Sequence, residues 1–257
     1  MKKENKLITL PEKKIITRRS FLNLFWASAS YTLLAANAPH KLDYLSEKAV
    51  KNQGDQIIFA RVKYKGGDWD ADTIEGGGFG GAEIHLLERV ILNTTLKPKI
   101  TEHVVSLEDD KIFDYPFLFV TGHKDIYLSE LEVDNLRTHL NGGGVIYGED
   151  CRGTRGVGLD LCFRREIARV YPNHPLKPIP MEHPLFHCMF DLNEFMGGDK
   201  LILPWIEGIE VDGRLRVIYS INDYACAWEG HGCRPHGDRQ REWAFKFGMN
   251  LLTYVMV

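Results

Sequence analysis

The chain has 257 residues, of which 44% are hydrophobic and 26% are charged, and its formal net charge is −3. This length is enough for one domain with a complete hydrophobic core. The acidic balance argues against nucleic acid as a partner, because contacts to phosphates need a clustered basic face.

The N-terminal segment has the pattern of an export signal. Arg18-Arg19 precede an uncharged apolar run, Phe21 to Ala36, which is followed by the small residues Ala36-Asn37-Ala38. A basic segment, an apolar run and a small-residue cleavage site in this order are typical of a bacterial twin-arginine signal. We therefore expect residues 1–38 to engage the twin-arginine translocase, and the working protein to be periplasmic or otherwise extracytoplasmic.

Cleavage of this signal is left open by Pro39, which directly follows the expected cleavage site. Proline is unfavourable there, so the segment is either removed or retained as an N-terminal membrane anchor. The apolar run is shorter than the ~20 residues that a spanning helix usually needs, which would make such an anchor marginal.

The part of the chain after the signal is more acidic than the whole and holds every cysteine. Residues 1–38 carry seven lysines and arginines against two glutamates, a net +5, so residues 39–257 carry −3 − 5 = −8. An odd number of cysteines in an oxidising compartment leaves at least one thiol unpaired, metal-bound or buried. The five are Cys151, Cys162, Cys188, Cys226 and Cys233.

Residues 39–56 are predicted to be a polar linker, and residues 57–257 a single domain. Strand-like runs are predicted at 57–64, 103–107, 117–121 and 145–147, the last two being continuously apolar as in buried central strands. Helical spacing covers 82–93, the stretch from a capping box at Ser129 to Gly142, and 160–170.

The C-terminal third is predicted to contain a hairpin and a closing helix. Asp212-Gly213 separates two strand-like runs within 206–221, which is a hairpin turn signal. Apolar residues then recur at helical spacing in the last segment: Trp243, Phe247, Leu251 and Tyr254. Strands that alternate with helices, with buried strands in the middle, predict an α/β domain around a mostly parallel sheet.

Six segments carry a resemblance to a known family: FARVKYKGGDW, YPFLFVTGH, LRTHLNGGGVIYGEDC, FRREIARVYP, EHPLF and DGRLRVIYSIND. Together they resemble the bacterial domain-of-unknown-function 4159 family over nearly all of residues 57–257. The resemblance implies a flavodoxin-like three-layer sandwich, similar to the class I glutamine-amidotransferase-like superfamily, and no established activity. Amidotransferase-type members place a nucleophilic cysteine after a central strand, whereas Gly122-His123-Lys124 follows residues 117–121 here, so thiol hydrolysis of glutamine is not expected.

Candidate binding residues follow the predicted strands. In an open α/β sheet, ligands bind beyond the carboxyl ends of the strands. The first such group is Tyr64 with Asp68 and Trp69, and the second is Gly122 with His123. Glycine lets the backbone approach a ligand closely because it has no Cβ.

The third group, Glu149-Asp150, suggests acid/base chemistry or metal binding together with His123, since imidazole and carboxylates serve both purposes. Imidazole and carboxylates exchange protons, and a carboxylate can orient a histidine that does so. We therefore predict His123, Glu149 and Asp150 as catalytic residues. The alternative is that the two carboxylates cap the following loop while the histidine bonds the backbone.

Two further residues are predicted to contact a ligand. His183 lies in a loop beside Pro184, where it is held rigidly, and its alternative role is to brace that loop. Asp223 follows the strand-like run 217–221, and its alternative role is to form a turn by bonding its own backbone.

Four sulfur and imidazole groups fall within eleven residues: Cys226, His231, Cys233 and His236. Thiolate and imidazole are zinc ligands, so a transition metal such as zinc is one interpretation of this segment. A Cys226–Cys233 disulfide and a plain loop are the alternatives.

The sequence therefore predicts an exported α/β domain that binds a small polar ligand at the carboxyl ends of its strands, with a hydrolase-like enzyme as the catalytic variant. The alternative is a non-catalytic interaction module of a cell-envelope assembly, whose partner is an envelope protein.

The export signal predicts the outcome of a double substitution. Arg18→Lys together with Arg19→Lys should trap the precursor in the cytoplasm, because the twin arginine is what the translocase recognises. Cell fractionation with detection of the chain measures this. Unchanged delivery across the membrane would contradict the twin-arginine interpretation.

Overall fold

The computed structural model describes residues 59–77, 81–94 and 98–256. The predicted signal at 1–38, its cleavage site and the linker at 39–56 lie outside the described residues. Within the described part, no helix combines the length and the apolar character that crossing a bilayer requires.

Seven strands form one sheet in the order β2-β1-β3-β4-β7-β6-β5. The strands are β1 Ala60–Lys63, β2 His103–Ser106, β3 Phe117–Gly122, β4 Val145–Asp150, β5 Lys177–Pro178, β6 Glu207–Val211 and β7 Arg214–Ser220. The first five in the sheet order are parallel, while β6 runs antiparallel to β7 and β5 runs antiparallel to β6. In chain order the parallel strands follow the 2-1-3-4-5 arrangement of flavodoxin-like sheets.

Helices cover both faces of the sheet. They are α1 Ala82–Asn93, α2 Glu130–Asn141, α3 Gly158–Val170, α4 Tyr224–Glu229 and α5 Asp238–Met256, with 3-10 turns at Asp110–Asp114 and Pro184–Phe186. One core cluster joins α1, α4 and α5 to side chains such as Phe119 and Tyr147. The other joins α2 and α3 to Leu118 and Ile146. Successive strand residues thus pack against helices on opposite faces of the sheet. The predicted three-layer α/β sandwich is confirmed.

Several local predictions are confirmed in atomic detail. The Ser129 hydroxyl accepts from Glu132 N at 3.2 Å, and the Glu132 carboxylate accepts from Ser129 N at 2.7 Å, which is a complete capping box at the start of α2. Asp212 and Gly213 both have positive φ, 52° and 74°, as the hairpin turn between β6 and β7 requires.

Two predicted boundaries are wrong. β4 does not stop after its apolar run, because Glu149 and Asp150 continue the ladder opposite Thr121 and Gly122. Cys226 lies in the helix α4 and not in a loop. The helix begins where the Asp223 carboxylate accepts from Cys226 N, and burial of the whole segment against the core stabilises it.

A buried arginine ties β1 to α1 and to the loop between them. The Arg61 guanidinium donates to both carboxylate oxygens of Glu83, at 2.5 and 2.7 Å. It also donates to the carbonyl oxygens of Trp69 and Ala71, at 3.0 and 2.5 Å. Neither charged side chain of the pair is more than 1% exposed. Removing one partner of such a pair typically costs about 3–5 kcal/mol, because the other charge stays buried.

The packing of β4 against α3 leaves no room for a side chain at Gly148. A Cβ there would lie 2.4 Å from two ring atoms of Phe163, and that ring is stacked on Tyr219 at 4.6 Å. Gly148→Ala should therefore destabilise the fold by about 1–3 kcal/mol, at roughly 2–4 °C of Tm per kcal/mol for a chain of this size. Thermal unfolding measures the shift.

Gly232→Ala is the matched control, because no described residue other than its chain neighbours lies within 4 Å of a Cβ at that position. If Gly148→Ala and the control have the same Tm, α3 can move away from β4 without loss of stability.

Candidate functional site

The strand order changes direction between β1 and β3, and the loop after β1 covers this point. Ligands of open α/β sheets bind beyond the carboxyl ends of the strands at such a switch point. The loop is anchored at its start by Tyr64, whose hydroxyl donates to the Thr121 carbonyl at 2.9 Å. The predicted adjacency of β3 and β4 as parallel strands is confirmed, so both strands end at this same edge.

Asp68, in the loop after β1, holds the backbone and the ring of His123. One carboxylate oxygen accepts from the backbone N–H groups of His123 and Lys124, at 2.9 and 3.1 Å. The other lies 3.0 Å from His123 Nδ1. Burial acts to raise the pKa of Asp68, but the hydrogen bonds and charge interaction with His123 outweigh it and leave the pKa lowered.

This geometry selects one tautomer of the neutral imidazole. Because an ionised carboxylate only accepts, Nδ1 carries the proton and Nε2 is left as an acceptor. Nε2 has no hydrogen-bond partner among the described residues, and the His123 side chain is 45% exposed. The arrangement presents a fixed proton acceptor to solvent beside the switch point.

Position 122 has to be glycine because neighbouring side chains leave no room for a Cβ. Its φ is +150°, and a Cβ would lie 2.2 Å from the Tyr64 hydroxyl and 3.0 Å from an Asp68 carboxylate oxygen. The space beside this glycine is therefore filled by Tyr64 and Asp68. Trp69, the next residue of the loop, packs partly buried on the core and lies under the ammonium of Lys63, 5.2 Å from the ring centroid.

Glu149 is fully buried beneath the site. It accepts from the Tyr147 hydroxyl at 2.7 Å and from the backbone N–H groups of Tyr224 and Ala225 at 3.1 and 2.7 Å. It thus holds the N-terminus of α4 against β4. Burial and the nearby charge of Asp223 raise the pKa of Glu149 to about 8.

Asp150 closes the turn after β4. Its two carboxylate oxygens accept from Arg152 N and Thr154 N, at 3.0 and 3.3 Å. Burial raises the pKa of Asp150 to about 6. The expectation that Glu149 or Asp150 orients His123 is corrected, because the carboxylate bonded to that histidine is Asp68.

Asp223 lies at the carboxyl end of β7 and is fully buried. Its carboxylate accepts from Lys200 Nζ at 2.7 Å, and the same ammonium donates to the Cys151 carbonyl at 2.7 Å. Burial raises the pKa of Asp223, although the ammonium opposes this rise. Neither Asp150 nor Asp223 is bonded to His123, whose ring contacts Asp68.

His183 lies beside β6, near the edge of the sheet that is far from β1. Its Nδ1 accepts from Leu185 N at 3.0 Å, and its Nε2 lies 3.2 Å from the Glu210 carboxylate. It borders a cavity of about 300 Å³ along the edge formed by β5 and β6. Both ring nitrogens are thus engaged in bracing the loop, and His183 is separate from the group around His123.

The four residues of the predicted metal segment are only partly brought together. Cys226 and His231 join Glu229 in a group whose ligand atoms lie within 4.8 Å of one another. Cys233 and His236 are not in that group. The Cys233 thiol donates to the His231 carbonyl at 3.6 Å, and His236 N donates to Gln240 at 3.1 Å.

All five cysteines are free thiols, so the alternative Cys226–Cys233 disulfide is not formed. Sequence reasoning missed a different group, in which Asp72, Cys151 and Cys226 lie within 4.8 Å of one another. The signal for it was weak, because the three residues come from three separate segments. Only the position of Cys151 directly after Glu149-Asp150 pointed to this edge of the sheet.

The model of one protein family matches residues 58–256, well over half of the chain. The chain belongs to that family, Domain of unknown function (DUF4159). This confirms the resemblance carried by the six segments, and the match covers all of the described residues. The description of the family names neither a ligand nor a reaction. No curated protein matches the chain.

The raised pKa of Asp150 predicts a pH-dependent stability. Its folded value of about 6 exceeds the unfolded value near 3.8, so the folded chain binds this proton more tightly. This contribution to stability is present below the unfolded pKa and is lost as the pH rises towards about 6. Relative to wild type, Asp150→Asn should therefore gain Tm from about pH 4 to pH 6 and then level off.

Thermal unfolding of both proteins in the same buffers measures the difference in Tm. The contributions of the other titrating groups are the same in both proteins and cancel in this difference. A difference that stays constant or shrinks over this range would contradict the assigned pKa.

Proposed function

We propose that this chain is an extracytoplasmic domain that binds a small polar ligand at the carboxyl edge of its sheet and acts on it with hydrolase-like chemistry. The observation that carries the proposal is the Asp68–His123 pair at the β1/β3 switch point. Export through the twin-arginine translocase is part of the proposal and rests on Arg18-Arg19. A relation to the class I glutamine-amidotransferase-like superfamily is supported by the strand order.

The pair has the parts of a general base. Asp68 keeps the proton on Nδ1, which leaves Nε2 to accept a proton from a water molecule or a substrate hydroxyl. Two backbone N–H groups hold the carboxylate in place, so the histidine is positioned before a ligand arrives. His123 is the proposed catalytic residue, and Asp68 is a positioning residue that acts through it.

Among the described residues no cysteine or serine is bonded to the His123 ring, which favours attack by water. The turn after β3 is Gly122-His123-Lys124, without the cysteine of the amidotransferase type. The Cys151 thiol lies 2.8 Å from the Thr121 hydroxyl, but it is buried, and its hydrogen bond with Cys226 and its burial raise the pKa of the thiol well above normal. A thiol of this kind is a poor nucleophile at neutral pH.

The second candidate function is a non-catalytic interaction module of an envelope assembly. Exposed large apolar side chains favour it, and they occur on several elements: Ile91 and Leu92 of α1, Val104 of β2, Leu131 of α2 and Leu161 of α3. Side chains spread in this way do not by themselves mark one docking surface.

Two substitutions test the catalytic proposal with p-nitrophenyl acetate and p-nitrophenyl phosphate as probes. His123→Ala should lower kcat/KM by about 10²-fold or more, because it removes the general base. Asp68→Asn should have a similar effect. The amide oxygen can still accept from the two backbone N–H groups, but its NH₂ group would donate to Nδ1 and shift the proton to Nε2.

Lys124→Ala is the control, because only the backbone N–H of Lys124 contacts Asp68. His123→Ala should leave Tm nearly unchanged, since the ring is half exposed. A fall in Tm of several degrees without loss of turnover would show that His123 is a structural brace. Wild-type protein that hydrolyses neither ester at a rate above buffer would favour the interaction module.

A further inference from the structure

We propose that Asp72, Cys151 and Cys226 form a buried binding site for a divalent transition metal ion, with zinc as the expected occupant. This ligand set differs from the one predicted in the 226–236 segment, and Cys226 is the single residue that the two sets have in common. It does not depend on the proposed function, because it does not include His123 or Asp68.

Three separate elements bring the ligands together. Asp72 lies within the loop between β1 and α1, Cys151 directly follows β4, and Cys226 lies in the first turn of α4. The Cys151 sulfur is 2.9 Å from one Asp72 carboxylate oxygen, and the Cys226 sulfur is 3.8 Å from the other. Tetrahedral zinc with ordinary bond lengths needs about 3.5 Å between a sulfur and an oxygen ligand. The two observed distances bracket this value.

The Asp72 carboxylate is poorly compensated without an ion. It is only 8% exposed, and among the described residues its oxygens accept hydrogen bonds only from the two thiols. Thiols are weak donors, and a buried carboxylate with weak partners is costly. The nearby Arg61 guanidinium is already occupied by Glu83 and by two backbone carbonyls.

The backbone is built to place this carboxylate. Asp72 has φ +63°, a left-handed conformation that is uncommon for a residue other than glycine. The conformation is fixed from both sides, since Arg61 bonds the Ala71 carbonyl and Ala82 N donates to the Asp72 carbonyl at 3.1 Å. Strain held in this way is often found at ligand sites.

Metal binding balances in charge. The ion forms bonds to two sulfurs and a carboxylate oxygen, two S–H bonds break, and the two protons leave to solvent. One dication replaces two protons, so the net charge of the buried group does not change. Glu149 and Asp223 offer further oxygens, because their ligand atoms also lie within 4.8 Å of the Cys151 sulfur.

Elemental analysis of the purified full-length chain, grown with zinc and never exposed to chelator, tests the site. Wild type should carry about one zinc per chain. Cys151→Ser and Asp72→Asn should each lose most of it. Cys188→Ser is the matched control, because that thiol donates to the Asn250 carbonyl on α5, away from the cluster. Cys233→Ser should also retain zinc.

Cobalt substitution and chelation give readouts that do not depend on yield. Added Co²⁺ should produce a sulfur-to-cobalt charge-transfer band in wild type and in Cys188→Ser, and not in Cys151→Ser. A chelator should lower the Tm of wild type and of Cys188→Ser, because an ion that binds only the folded chain stabilises it. If Cys151→Ser does not fold, Cys226→Ser and Asp72→Asn carry the same test.

Three outcomes would overturn the proposal. Wild type with less than about a tenth of an equivalent of any transition metal would show that the site does not bind one. Zinc that is lost in Cys233→Ser but kept in Cys151→Ser would place the ion in the 226–236 segment. A wild-type mass lower by two hydrogens, with Cys151 and Cys226 protected from alkylation, would show a disulfide in place of the metal.

Discussion

The buried Arg61–Glu83 pair is the interaction on which the rest of this edge of the molecule depends. Arg61 is central in β1, and its guanidinium joins α1 to the loop after β1 through Glu83 and the carbonyls of Trp69 and Ala71. A buried charge must be paired and hydrogen-bonded, so the loop cannot move without exposing the cation or leaving it unpaired. The described part of the loop at Trp69 and Ala71 is thereby tied to the fold.

That rigidity positions two different groups of side chains. Asp68 reaches β3 and holds His123 at the solvent edge, whereas Asp72, four residues later, reaches inward to Cys151 and Cys226. Tyr64 and Asp68 fill the space beside Gly122, since a Cβ there would collide with the Tyr64 hydroxyl. One loop therefore supplies the orienting carboxylate of the candidate base and the carboxylate of the candidate metal site.

Much of the fold could be predicted from the sequence because its signals are local. The Ser129–Glu132 capping box, the Asp212-Gly213 turn and the helical spacing of 82–93 each act within a few residues, and the structure confirms all three. The extent of β4 and the helix α4 were not predicted. Glu149 continues the strand only because β3 lies beside it, and α4 forms only because the core buries it.

The candidate site divides in the same way. The sequence by itself determined that His123, Gly122 and the Glu149-Asp150 pair lie at the carboxyl ends of adjacent strands, because parallel strands end at one edge. Only the tertiary structure decided which groups touch. Asp68 and not Asp150 holds His123, and Cys151 meets Asp72 and Cys226, residues 79 and 75 positions away along the chain. Strand order and loop path decide such contacts, and both depend on packing between distant segments.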